Sequence, residues 1–134
     1  MPRRLIVLLA AAALAVSACG PTASSSSVKF SGAAKDVADV VGKMATDGRT
    51  GDGKSICDDT FSQALVDKLD ANGGSCADEM KDAVRDASDF DLQVRSVKVS
   101  GDKATAVVRQ GDDGPTATFS FVKENGDWRA DSLG

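Results

Sequence analysis

Near Phe90 the apolar residues of this chain change their spacing, and that change decides the fold class. Before it they recur at intervals of three and four, the stripe of a helix with one buried face. After it they alternate with polar residues, the pattern of a half-buried strand. Ser31 to Asp47 predicts the first helix, with Val37, Val40, Val41, Met44 and Ala45 on its inner stripe. Asp47-Gly48 is expected to end it, because glycine tolerates the left-handed terminator. A short helix from Asp52 or Lys54 to Asp58 carries Cys57, and Thr60 is expected to cap a segment whose apolar edge is Phe61, Leu65, Val66 and Leu69. Asn72-Gly73-Gly74 breaks that segment. Ser75, with Asp78 three residues on, predicts a capped helix through Ala87 that buries Met80, Ala83, Val84 and Ala87.

In the second half, Phe90, Leu92 and Val94 share one parity, and Val97 and Val99 continue it after a one-residue slip. Such a slip within one strand predicts a bulge near Arg95-Ser96. Turns at Ser100 to Lys103, Gln110 to Gly114 and Glu124 to Asp127 separate three further inward rows. These are Ala104, Ala106 and Val108; then Ala117, Phe119 and Phe121; then Trp128, Ala130 and Leu133. The last turn contains Asn125-Gly126, a pair favoured in tight hairpins. The expected fold is therefore α+β, with N-terminal helices packed on one face of a bent four-stranded antiparallel meander.

The chain begins with a different kind of segment. Arg3 and Arg4 precede an uncharged apolar run, Leu5 to Val16, which is too short to span a bilayer. A basic start followed by a short apolar run is the architecture of a secretory leader. Its end, Val16-Ser17-Ala18-Cys19, resembles the bacterial lipobox, in which the cysteine is lipidated and becomes the mature N-terminus. Gly20 to Ser27 then reads as a polar tether. The organisation expected is residues 1–18 as lipoprotein signal peptide, 19–29 as lipidated cysteine and tether, and 30–134 as one extracytoplasmic domain. Lipid on Cys19 would hold that domain at the outer face of a cell membrane.

Setting aside Arg3 and Arg4 leaves 14 basic against 20 acidic side chains, a net charge of −6. Such a balance offers no footprint for nucleic acid and assigns attachment to the lipid, since an acidic domain is repelled by an anionic surface. With Cys19 lipidated, Cys57 and Cys76 remain, and outside the cytoplasm two thiols oxidise. A zinc site is the competing reading, but two sulfurs without histidine and without a CxxC spacing make a poor one. A structural disulfide is expected, and no metal or other cofactor.

The chain contains no histidine and no tyrosine. This removes the commonest general base and excludes Ser-His-Asp and Cys-His nucleophile systems. Carboxylate pairs remain, at Asp58-Asp59, at Asp89 and Asp91, and at Asp112-Asp113, but each reads as a solvated junction, cap or turn. The glycine-containing run Asp47 to Asp58 does not suit calcium, because Arg49 and Gly51 occupy early ligand positions. Phe90, Phe119, Phe121 and Trp128 are the candidate lining of a pocket or of the core, and no catalytic residue is assigned.

Helices leading into a bent meander, the Asp47-Gly48 helix end, the strand pair Val97 to Val108, and the closing Lys123-Glu124-Asn125-Gly126-Asp127-Trp128-Arg129-Ala130 together resemble the nuclear transport factor 2-like (cystatin-like) superfamily. The placement of Cys57 and Cys76 is similar to that in small actinobacterial lipoproteins of this group. The resemblance implies a cone-like α+β domain over residues 30–134. Enzymatic relatives of the ketosteroid isomerase-like and polyketide cyclase-like kinds use Asp, His or Tyr inside the cone, and the missing His and Tyr leave no catalytic residue to carry over. The function expected is a non-catalytic, lipid-anchored binding or interaction module of the cell envelope, whose partner is a small apolar ligand or another envelope protein. A carboxylate-only isomerase or hydrolase, and an accessory or spacer domain, are the alternatives.

Overall fold

The computed structural model describes residues 30–86 and 91–134. Cys19, Ala87, Asp89 and Phe90 lie outside the described residues. Four helices are followed by four strands, as α+β requires: α1 Gly32–Arg49, α2 Gly53–Ser55 continuing into a π-helical turn Ile56–Thr60, α3 Gln63–Asp70, α4 Cys76–Asp86, then β1 Leu92–Ser100, β2 Lys103–Gln110, β3 Thr116–Glu124 and β4 Asp127–Ser132. The strands form one antiparallel sheet in the order β1-β2-β3-β4.

Of the stripe read from the sequence, α1 buries Val37, Val41, Met44 and Ala45 and half-buries Val40, and it buries Ala38 as well. It lies on the inner face of the sheet, mainly against β1. The helix does not stop at Asp47-Gly48. It runs through Gly48, which is buried in helical conformation, and the left-handed residue is Gly51, with φ of 72°. The Gly51 N–H donates to the Gly48 carbonyl and the Asp52 N–H to the Asp47 carbonyl, the paired bonds of a Schellman ending. The Asp52 carboxylate then caps α2 through the Ser55 N–H at 3.0 Å.

The cap of α3 is Ser62 and not Thr60. The Ser62 hydroxyl accepts from the Leu65 N–H at 3.1 Å and donates to Asp131 at 2.7 Å. Thr60 is buried inside the π-helical turn, with its hydroxyl donating to the Ile56 carbonyl. Between them Phe61 makes a single parallel bridge to Ala130, and the Ser62 N–H donates to the Ala130 carbonyl. This bridge covers part of the β4 edge, which would otherwise present unpaired backbone groups.

Ser75 caps α4, accepting from the Asp78 N–H and donating to the Asp78 carboxylate. Asp70 reaches across the Asn72-Gly73-Gly74 break to accept from the Cys76 N–H at 2.7 Å. Cys57 and Cys76 form a disulfide with Cα atoms 6.1 Å apart, joining the π-helical turn to the first turn of α4.

The sheet carries its bulge where the parity slip places it, between Val94 and Ser96 on β1. Ala104, Ala106, Val108, Phe119, Phe121, Trp128 and Ala130 form the buried inner face. Two expected core positions are not covered. Val99 is 39 % exposed, although Ala104, its cross-strand partner on the same face, is buried. Ala83 on α4 is also exposed.

Candidate functional site

The exposure of Ala83 follows from how α4 is held. Its packing partners are α2, α3 and the π-helical turn, with the disulfide at its first turn. α1 occupies the sheet beside it. Of the apolar stripe predicted for α4, Val84 is buried, Met80 half-buried and Ala83 open. A helix anchored from behind in this way leaves a gap between its apolar stripe and the sheet.

That gap is a cleft of about 380 Å³. Val108, Ala117 and Phe119 supply its sheet wall, with Leu92 and Leu133 at the sides. Met44 of α1 and Ile56 of the π-helical turn close the inner end, and Met80 and Ala83 of α4 form the opposite wall. Gln110, Pro115 and Thr116 complete the lining at the ends of β2 and β3, and no charged side chain among the described residues contributes to it. A volume of this size lies in the range of small-molecule sites, which combine apolar walls with a few polar groups. Methionines on two walls give an adaptable surface, since the unbranched thioether side chain repacks at little cost. An apolar guest would be favoured by about 25 cal/mol for each Å² of its surface removed from water. The uncharged lining would penalise a guest carrying a bare charge.

Of the aromatic candidates, Phe119 lines this cleft, and Phe121, 2 % exposed, belongs to the filled core. Phe90 lies outside the described residues. Trp128 is buried near α1, at the base of a separate crevice of about 440 Å³ beside Asp36, Asp39 and Asp59. Its indole N–H has no hydrogen-bond partner, and the Lys123 ammonium sits 5.8 Å from the ring centroid, within cation–π range. Lysines already engage two of the acids in that crevice, Lys35 pairing with Asp39 and Lys43 with Asp59.

The perturbed titrations lie on the helical surface, away from the cleft. The Ser55 backbone N–H, followed by the Ser55 hydroxyl, holds the Asp52 carboxyl below the ordinary aspartate range. Hydrogen bonds to Asp39, Asp47 and Asp58 respectively raise the Lys35, Lys43 and Lys54 ammonium groups above the ordinary lysine range. These are capping and i,i+4 contacts on open surface. The buried polar side chains among the described residues are those of Thr60 and Ser62. No group of three or more His, Cys, Asp or Glu side chains that could hold a metal occurs among the described residues.

Sequence reasoning assigned Met80 and Ala83 to the core and did not single out Ile56, Pro115 or Thr116. Periodicity identifies the apolar stripe of α4 but not how far that stripe stands from the sheet. No protein-family model, curated protein or solved structure matches this chain.

Proposed function

We propose that this protein is a lipid-anchored, extracytoplasmic binding module, non-catalytic, that holds a small uncharged apolar ligand in the cleft between α4 and the sheet. The observation that carries the reading is the cleft itself, about 380 Å³ with no charged side chain among the described residues of its lining. The anchoring part rests on the leader and on Val16-Ser17-Ala18-Cys19, with residues 19–29 as tether. No helix among the described residues is long and apolar enough to cross a membrane. Membership of the nuclear transport factor 2-like superfamily is part of the same proposal, supported by helices that precede a bulged meander.

Two observations favour a bound small molecule over the alternatives. Docking of an envelope protein calls for a contiguous exposed apolar patch, yet Val99 is the large apolar side chain exposed among the described residues. A carboxylate-only enzyme calls for an acid held away from water with a raised pKa, and the buried polar side chains among the described residues are hydroxyls.

Native mass spectrometry of protein extracted from its own membrane tests the proposal. The expected spectrum shows acyl mass on the Cys19 N-terminus and a retained uncharged apolar molecule. A chain recovered in the aqueous phase, with Cys19 free or removed and nothing bound, would defeat both parts.

A further inference from the structure

The polar groups of the cleft are gathered at one end. Met44, Ile56, Val108 and Phe119, at its inner end and on its sheet wall, are all buried. Gln110 and Thr116 stand at the rim and are exposed. Neither the Gln110 side-chain amide nor the Thr116 hydroxyl has a hydrogen-bond partner among the described residues. Polarity therefore rises in one direction, from a buried apolar floor to a hydrogen-bonding mouth.

Backbone bonds hold that mouth in place. The Gln110 N–H donates to the Pro115 carbonyl at 3.1 Å across the β2–β3 turn, and the Gly111 N–H donates to the Asp91 carbonyl at 2.7 Å, tying the turn to the entry of β1. A Cβ on Gly114 would lie 1.6 Å from the Gln110 carbonyl oxygen, so this closure needs glycine. The turn also brings charge. Asp112 and Asp113 lie between the two rim residues, with Asp91 beside them. Arg49 stands 3.8 Å from Asp91. Arg109 alternates with Val108 and Gln110, so its side chain leaves β2 on the other face, where the guanidinium donates to the Asp112 carbonyl. Among the described residues of this turn and its β1 contact, carboxylates outnumber cations.

We infer that the cleft takes a neutral amphiphile, with its apolar body against Met44, Met80 and Phe119 and a hydroxyl, ester or amide head hydrogen-bonded to Gln110 and Thr116, and that it rejects the carboxylate of the same chain length. This names the ligand class of the site proposed above and rests on that reading. The cleft of about 380 Å³ holds about a dozen non-hydrogen atoms at the ~30 Å³ that one water occupies in the liquid, which is the size of 1-decanol. The bond to Gln110 replaces one to water, so it adds modestly to affinity and fixes which end of the guest faces out. A carboxylate would give up hydration against an uncharged lining, and the acids of the turn would repel it further.

The test uses the full protein, extracted from its membrane into phosphatidylcholine nanodiscs and isotope-labelled at the methionine methyl carbons. Met44 and Met80 stand on two walls of the cleft, so their methyl resonances report its occupancy. Dialysis against a common reservoir fixes the free concentration of each probe, 1-decanol or decanoate at neutral pH, whatever the discs absorb. 1-Decanol should shift both resonances, and decanoate should need at least about tenfold more to do the same. Gln110→Leu, at an exposed position, should fold as wild type and bind 1-decanol roughly two- to tenfold more weakly. Decanoate binding wild type as tightly as 1-decanol overturns the inference without recourse to any variant. Undiminished 1-decanol affinity in Gln110→Leu overturns it too. In both cases the shifted resonances leave the cleft standing as a binding site, whereas resonances that neither probe moves defeat the cleft reading and the inference together.

Discussion

Replacing Cys57 and Cys76 together by alanine removes the one covalent link between α4 and the π-helical turn. The sequence separation is 19, and closing a loop of that length withdraws about 3 kcal/mol of entropy-derived free energy from the unfolded chain. Both cysteines are also buried, 5 % and 3 % exposed, so their loss leaves a small packing defect in addition. A domain of this size has only about 5–15 kcal/mol of stability in total. The double variant should therefore lose a large fraction of it and melt roughly 12–24 °C lower, at about 4–8 °C for each kcal/mol. Urea unfolding should give a lower midpoint and a steeper slope, because an uncrosslinked unfolded chain exposes more surface. Reduced wild type should trace nearly the same curve. The single variants, which also open the loop, should fall close to the double one. A loss below about 1 kcal/mol in the double variant would refute the reasoning. It would mean that α4 is positioned by its packing on α2 and α3 without need of the bridge.

Three further outcomes follow from the local geometry. Ser62→Ala removes the cap of α3 and the contact to Asp131, and should cost about 1–2 kcal/mol in equilibrium unfolding, whereas Thr60→Ser should cost less. Gly53→Ala places a Cβ 2.7 Å from the Ala77 carbonyl oxygen and the Lys81 nitrogen, so α2 and α4 must separate, at roughly 1–3 kcal/mol by thermal melting. The Asp52 carboxyl is lowered by its bonds to Ser55, so its stabilising contribution is present above the ordinary aspartate range and is lost as pH falls through the folded-state value. Asp52→Asn should therefore flatten the acid side of the stability profile and leave the neutral-to-basic side nearly parallel to wild type.

The parts of the fold carried by strong local patterns were legible in advance. α1 announced its stripe through Val37, Val41 and Met44, and the bulge announced itself as the parity slip between Val94 and Val97. The Ser75–Asp78 cap and the disulfide partners were equally plain, one from residue type and spacing, the other from cysteine count and compartment. What failed were choices between adjacent residues with similar chemistry. Gly48 and Gly51 both suit a helix end, and only the helix length that packs on the sheet selects Gly51. Thr60 and Ser62 both suit a cap, and the bridge from Phe61 to Ala130 decides for Ser62. The cleft was the least legible feature. An apolar stripe such as Met80, Ala83 and Val84 reads as core in a sequence, because contact with the sheet is assumed; here the packing on α2, α3 and the disulfide holds the helix off. Val99 was misjudged for a related reason, since strand parity assigns a face but not how far each position on that face is covered.

The cleft is the central claim, and filling it tests that claim most directly. Ala83 is exposed on the cleft wall, so Ala83→Trp can occupy the space without displacing buried side chains. Native mass spectrometry of wild type and Ala83→Trp, released from the same membrane side by side, should find an uncharged apolar molecule on the first and none on the second, with the variant melting no lower. Equal retention by both proteins, or an empty wild type, would contradict the account.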